Sequence, residues 1–333
     1  MKAYIKGISY YLPERVVSNE ELVKDFPDWT VEKVASKIGI EERHIAAATE
    51  TSTDMAVRAA EKLFAEHGVD PKEIDFIMLC TQSPDYFLPT SACIIQDRLG
   101  VPVNSGAMDF NLGCSGFVYG LAVAKGLVAT GVAKNILLLT SETYSKYIHP
   151  KDKSNRTIFG DAAAATLVSN QGDIEIQEFS LGTDGRGAEK LIVRSGGHRC
   201  PAQQNDISFD EYDNPKSSDH LFMNGTDIFN FTVEMVPVLV NDTLLKNETA
   251  KEDVDLFVFH QANKYMLNFL RKMIKIPEEK FYYCMSNVGN TVSSTIPIAL
   301  YEAIKDKSIN KNNKVLIAGF GVGFSWAGCM LKF

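Results

Sequence analysis

Asp75-Phe76-Ile77-Met78-Leu79 and Asp255-Leu256-Phe257-Val258-Phe259 share one texture, an acid and then four apolar residues, and lie 180 positions apart. Asn135-Ile136-Leu137-Leu138-Leu139 and Lys314-Val315-Leu316-Ile317-Ala318 form a second pair, 179 apart from Ile136 to Val315. A short apolar run between polar residues reads as a buried strand, and any one buried strand resembles another. Two matches at nearly one offset point further, to a duplication of half the chain. Helix-like segments alternate with the runs, so the fold class is α/β. The halves, 1–170 and 171–333, are expected to meet in the polar stretch Val168-Ser169-Asn170-Gln171-Gly172-Asp173.

The 333 residues are 45% hydrophobic and 23% charged, enough for a large core over two layers or two domains. The formal net charge is -8 and no dense basic run occurs, which argues against nucleic-acid binding. The start, Met1-Lys2-Ala3-Tyr4-Ile5, opens no apolar run of signal-peptide length, and no 18 consecutive residues are all apolar. A cytoplasmic protein without a membrane span is expected. The six cysteines, at 80, 93, 114, 200, 284 and 329, are scattered without a Cys-x-x-Cys pair. That argues against a zinc ribbon or a thioredoxin motif. Residues 195–220 are polar, with Gly196-Gly197, Pro201 and Pro215, and read as a long surface excursion covering a site. Its His198, Cys200 and His220 fit no metal-ligand spacing and read as solvated loop residues.

Three further stretches spell a thiol, an imidazole and an amide. In Asn111-Leu112-Gly113-Cys114-Ser115-Gly116-Phe117, Cys114 precedes a small-residue apolar helix. A helix amino terminus favours thiolate over thiol, so Cys114 reads as a nucleophile, against the commoner buried structural cysteine. His260, in Phe259-His260-Gln261-Ala262-Asn263, follows a strand-like run, where α/β sites are usually built. Its plainer reading is a hydrogen-bonded core histidine. Asn290, in Asn287-Val288-Gly289-Asn290-Thr291, reads either as a turn residue or as a side chain placed roughly where the duplication puts Cys114, 176 positions earlier. Gly319-Phe320-Gly321-Val322-Gly323-Phe324 lets backbone N–H groups approach a ligand. Lacking a following Lys-Ser/Thr, it fits an oxyanion hole better than a phosphate loop.

Over essentially its whole length the chain resembles the β-ketoacyl-acyl-carrier-protein synthase III enzymes of the thiolase superfamily. Beyond the stretches above, the resemblance rests on Gly39-Ile40-Glu41-Glu42-Arg43-His44, Glu50-Thr51-Ser52-Thr53-Asp54-Met55-Ala56, Pro89-Thr90-Ser91-Ala92-Cys93, Phe159-Gly160-Asp161-Ala162-Ala163 and the closing Ser325-Trp326. It implies two thiolase-like βαβαβαββ halves in five α-β-α-β-α layers, and a homodimer. It implies that Cys114 accepts the acyl group, that His260 and Asn290 hold the malonyl thioester oxygen, and that the backbone N–H groups of Cys114 and Val322 form the other oxyanion hole. Coenzyme A contacts are implied for Trp29, Lys37, Arg156, Thr226 and Asn263, and acyl-pocket positions for Leu88 and Phe320. The substrates are then an acyl-coenzyme A and a malonyl-acyl-carrier protein, with no metal and no resident cofactor. Five positions depart from the family pattern: Asp28-Trp29-Thr30-Val31 is followed by extra residues, Lys37 replaces a usual Arg, Val322 a usual Gly, Val292 a usual small polar residue, and Leu88 a common Phe.

Carrier-protein docking calls for positive charge. Lys264, Arg271 and Lys275 are spaced 7 and 4 apart on an expected helix and share one face, which reads equally as an ordinary solvated face. The competing functions are an acyltransferase delivering the Cys114-bound acyl group to another nucleophile, a non-catalytic partner subunit, and a cysteine protease. Asn290 favours condensation over simple transfer, an intact Cys, His and Asn disfavour a silent subunit, and a protease leaves the second half unexplained.

Overall fold

The computed structural model describes residues 2–26, 29–210 and 213–333; Asp28 of the entry segment and positions 211 and 212 of the excursion lie outside them. In the first half β1 (Tyr4–Tyr11), β2 (Phe76–Cys80), β3 (Gly106–Phe110), β4 (Asn135–Glu142) and β5 (Ala162–Ser169) form sheet strands. The helices α1 (Asn19–Asp25), α2 (Val31–Ile38), α3 (Ser52–His67), α4 (Ser91–Leu99), α5 (Gly116–Ala129) and the single turn α6 (Lys153–Arg156) lie among them. The second half has β6 (Ile174–Thr183), α7 (Gly225–Lys246), β7 (Leu256–Phe259), α8 (Lys264–Ile274), α9 (Thr295–Lys305), β8 (Lys314–Gly321) and β9 (Ser325–Lys332).

The large sheet runs β7-β8-β9-β6-β1-β5-β4-β2-β3. Read outward from its middle, the first half has the order β1-β5-β4-β2-β3, with β2 parallel to both β4 and β3. The second half runs β6-β9-β8-β7, again with its far pair parallel, and a parallel bridge from Phe257 to Phe281 takes the place of β3. Topology and strand direction therefore repeat, and the two halves join where Tyr4 and Ile5 pair with Glu175 and Ile174.

Strand alternation explains the five layers. Ile77, Leu79 and Leu137 point outward onto Met55 and Leu63 of α3 and Ile95 of α4. Met78 and Leu138 point inward, where Phe117 and Leu121 of α5 and Ile296 and Leu300 of α9 fill the layer between the sheets. Val258 and Ile317 close that layer from the other side. Phe257, Phe259 and Leu316 face outward again, onto α7 and α8. Helix α7 is long and apolar enough to cross a membrane by length and composition. Its Phe231, Val236, Leu239, Val240 and Leu244 are buried in this outer core.

Of the described part of 195–220, only Ser208–Phe209 and Pro215–Lys216 form strands, paired with each other. The Asp219 carboxylate ties the segment by accepting from the Ser195 hydroxyl and the Gln204 and Asn205 N–H groups. His198 lies beside Phe87, and His220 packs edge-on against His149. No cluster of metal-ligating side chains occurs among the described residues.

Candidate active site

Cys114 stands two residues before α5, at the carboxyl side of β3. Glycines make room for it. A Cβ at Gly321 would lie 2.9 Å from the Cys114 Sγ, and one at Gly319 would lie 2.7 Å from the Cys114 carbonyl oxygen. The Ser325 hydroxyl donates to the Val322 carbonyl at 3.0 Å, which leaves the Ser115 hydroxyl to donate to Ser325 at 2.6 Å. That relay clips the 321–323 turn onto the helix start. The N–H groups of Cys114 and Val322 both favour negative charge on the Cys114 sulfur.

The helix start does not make Cys114 a resting thiolate, contrary to the expectation from position. Burial, reinforced by the charge of Glu142, pushes the thiol up to about 12. Only 9% of the residue is exposed, so lost hydration outweighs the two N–H groups. An attacking Cys114 must therefore hand its proton to an acceptor.

His260 directly follows β7 and is buried. Desolvation holds its imidazole down to about 3, so the ring is neutral. Its Nδ1 lies 2.8 Å from the Thr295 hydroxyl, which also reaches the Val292 carbonyl at 3.0 Å. Val292 takes a left-handed φ of 54°, strained for a β-branched residue, and the same carbonyl stabilises a protonated His260. The edge of Phe320 backs the ring.

Asn290 is fixed by its backbone and by one end of its amide. Its N–H donates to the Ile158 carbonyl at 2.9 Å and its own carbonyl accepts from Gly160 at 3.0 Å. Its Oδ1 accepts from the Val292 N–H at 2.9 Å. Among the described residues, the Nδ2 group donates to no recorded partner. Helix α9 starts five residues after Asn290, because a 3-10 turn, Val292–Ser294, intervenes; Cys114 precedes α5 by two. The duplication therefore matches Cys114 to Ser293 rather than to Asn290.

Several other expectations meet the structure differently. Phe320 packs against His260 and Phe259, and does not line the 740 Å³ cavity that reaches Gln82, Tyr144 and Val322. Phe87 lines that cavity, whereas Leu88, which the resemblance directs across a dimer interface into the partner's pocket, is 81% exposed on the single chain. Arg271 is buried, donating to the Ile276 carbonyl and Asn268 and pairing with Glu278, which withdraws it from any docking face. Lys264 and Lys275 are both exposed, Lys275 as the left-handed cap that ends the helix.

Trp29 packs with Leu22 and Phe26 beneath the Lys33 ammonium. Arg156 lies over the same Phe26 and pairs with Asp25 at 2.9 Å. Lys37 is exposed in the last turn of α2, and Thr226 in the first turn of α7. Asn263 caps α8, accepting from the Met266 N–H at 2.9 Å.

Sequence reading missed Glu142, Gln82, Tyr144 and Thr295. Glu142 ends β4 fully buried, yet accepts from the Gln82 N–H and from the Ser83 and Ser293 hydroxyls. Burial raises its carboxyl to about 8. Through Ser293 and Gln82 it joins the Asn290 side of the site to the Cys114 side. The one signal in the sequence is an acid closing an otherwise apolar strand.

Two family models match, 3-oxoacyl-[acyl-carrier-protein] synthase III at residues 108–185 and its C-terminal model at 244–333. The β-ketoacyl-[acyl-carrier-protein] synthase III of Caldanaerobacter subterraneus is 34% identical over 99% of this chain and 98% of its own length. The chain belongs to the β-ketoacyl-[acyl-carrier-protein] synthase III family. The Clostridium perfringens relative of that name is 35% identical, over 98% of each chain. A crystal structure of a 3-oxoacyl-(acyl-carrier-protein) synthase III superposes with a TM-score of 0.98, at 50% identity and full coverage of both chains. The 3-oxoacyl-(acyl-carrier-protein) synthase of Burkholderia xenovorans LB400 gives 0.92 at 37% identity, covering 100% of this chain and 94% of its own. Synthase III relatives share this duplicated fold, in which Cys114 meets the Val322 backbone and packs in one cluster with Val292, the residue whose N–H holds Asn290 and whose carbonyl meets Thr295 beside His260.

Proposed function

We propose that the protein is an acyltransferase of the synthase III type, condensing an acyl-coenzyme A with a malonyl-acyl-carrier protein. Residues 1–170 supply the nucleophile and 171–333 the histidine and asparagine. The Cys114 sulfur attacks the acyl thioester carbon, and coenzyme A leaves as its thiol with the proton that Cys114 gives up. Malonyl thioester then loses its carboxylate as carbon dioxide. The electron pair passes to an enolate, whose oxygen accepts from Asn290 Nδ2 and His260 Nε2. The enolate carbon attacks the Cys114-bound carbonyl, whose oxygen lies on the N–H groups of Cys114 and Val322; the carbon–sulfur bond breaks, the 3-oxoacyl product is released, and the departing thiolate takes a proton from solvent to restore the thiol.

The observation that carries this reading is the orientation of Asn290. With Oδ1 held by Val292, only the N–H₂ end is left to face a substrate oxygen, which is what an enolate requires. Thr295 supplies the matching control over His260. When its proton goes to the Val292 carbonyl, Nδ1 donates to Thr295 and Nε2 carries no hydrogen. When its proton turns to Nδ1, Nε2 carries hydrogen and donates to the enolate.

The reading places the protein in the cytoplasm as a homodimer, with coenzyme A thioesters as substrates and no resident cofactor. The consecutive exposed residues Tyr86, Phe87 and Leu88 support an interface. Trp29, Arg156 and Lys37 support a coenzyme A entrance, and Lys264 and Lys275 are exposed cations available to a carrier protein.

Asn290→Ala tests the assignment. It is expected to accept an acyl group on Cys114 while malonyl decarboxylation falls at least about a hundredfold. Normal carbon dioxide release would reduce Asn290 to a turn residue.

A further inference from the structure

Among the apolar residues that wall the cavity near the nucleophile stand a few polar groups, and hydrogen bonds fix them. Gln82 is pinned at four places. Its N–H donates to Glu142 at 3.1 Å, and its carbonyl accepts from the Tyr147 hydroxyl at 2.9 Å. Its Oε1 accepts from the Tyr144 hydroxyl, and its Nε2 donates to Asn111 at 3.0 Å. A Cβ at Gly113 would lie 2.7 Å from that Oε1, so the amide rests against the residue before Cys114. Tyr144 packs in one cluster with Cys114, Phe159 and Leu221. The cavity beside them has a volume of 740 Å³ and is walled by Gln82, Tyr144, Asn111, Leu191 and Leu221.

This relay uses only some of the hydrogen-bonding capacity of Gln82 and Tyr144, and both residues line the cavity. Gln82 keeps one N–H, and the Tyr144 oxygen keeps lone pairs. Turning both amides over exchanges donors for acceptors and still leaves both kinds unpaired. A plain alkyl chain would take water from these groups and return nothing. A substrate oxygen close to the thioester would replace the lost water. A site built to meet such a group rejects the analogue that lacks it.

We propose that the acyl donor is a short acyl group bearing a hydroxyl or carbonyl oxygen next to the thioester, of the 3-hydroxyacyl or 3-oxoacyl class, recognised by Gln82 and Tyr144. This rests on the proposed acyl-Cys114 intermediate and names the group it carries. The oxygen takes the Gln82 N–H or donates to the Tyr144 oxygen, while Leu191 and Leu221 cover the hydrocarbon. Because both polar groups stand beside the nucleophile, the preference concerns the third carbon and not the far end of a long chain.

The test compares 3-hydroxybutyryl- and butyryl-coenzyme A, which have equal chain length, by the rate of mass gain on Cys114 in the intact protein. The hydroxylated donor is expected to react at least about tenfold faster. Tyr144→Phe and Gln82→Met, which keep most of the side-chain bulk, should each cut that ratio severalfold or more, chiefly by letting butyryl react faster. A butyryl rate equal to or above the hydroxybutyryl rate in the native enzyme overturns the inference. So does a ratio unmoved in both variants. Failure of every donor to label Cys114 would instead overturn the acyl-enzyme reading on which the inference rests.

Discussion

In the proposed reaction the two half-reactions turn on Thr295. Its hydroxyl lies within hydrogen-bonding distance of both the His260 Nδ1 and the Val292 carbonyl. Thr295→Val keeps the shape and removes the proton that is shared. His260 then donates from Nδ1 to Val292, leaving Nε2 without hydrogen. Acylation of Cys114 is expected to persist, while malonyl decarboxylation falls about a hundredfold, and Thr295→Ser should restore it. Equal loss in both half-reactions would make Thr295 a packing residue. Cys114 gives a second prediction at this scale. With its thiol pushed up to about 12 by burial, iodoacetamide labelling should climb about tenfold for each pH unit from 7 to 9. A plateau near neutral pH would show that the helix start outweighs burial after all.

At the scale of elements, α8 and the turn 319–323 separate structural from functional charge and space. Arg271 on α8 is buried and bonded to Ile276, Asn268 and Glu278, so Arg271→Ala should cost about 1–3 kcal/mol of stability and lower the melting temperature. It should leave the KM for malonyl-carrier protein unchanged, whereas Lys264→Glu should raise it. The reverse pattern would return Arg271 to the docking face. Gly321→Ala would place a methyl group against the Cys114 sulfur, and a displaced nucleophile is expected to lose about a hundredfold in acylation rate. The helix spacing that grouped Lys264, Arg271 and Lys275 was sound, but spacing does not report depth. The chain beyond the helix folds back, with Ile276 and Glu278 taking the guanidinium, and that contact is invisible to a periodicity argument.

For the whole molecule, the duplication was legible because buried strands must be apolar and the two copies kept their lengths. Offsets of 180 and 179 found four strands of the repeat. Carried to Cys114, the offset of 179 lands on Ser293, the structural match; the 176 between Cys114 and Asn290 falls short of it by three, the length of the 3-10 turn Val292–Ser294. Cys114, His260 and Asn290 were readable as residue types at strand and helix ends. Glu142, Gln82, Tyr144 and Thr295 were not, since each acts through partners brought close only by folding. The exposed aromatic and aliphatic residues at 86–88 bear on assembly. Sedimentation is expected to give about twice the 36.9 kDa chain mass, and Leu88→Asp should weaken association. A native protein that sediments as single chains at micromolar concentration would remove the homodimer from the proposal. The central claim is tested most directly by mass spectrometry of the intact protein through one turnover. Incubated with an acyl-coenzyme A, the native chain should gain one acyl group, and Cys114→Ala none. Added malonyl-carrier protein should then strip that group, with one carbon dioxide and one 3-oxoacyl-carrier protein formed per acyl group lost. Labelling that survives in Cys114→Ala, or an acyl group released without carbon dioxide, would contradict the account.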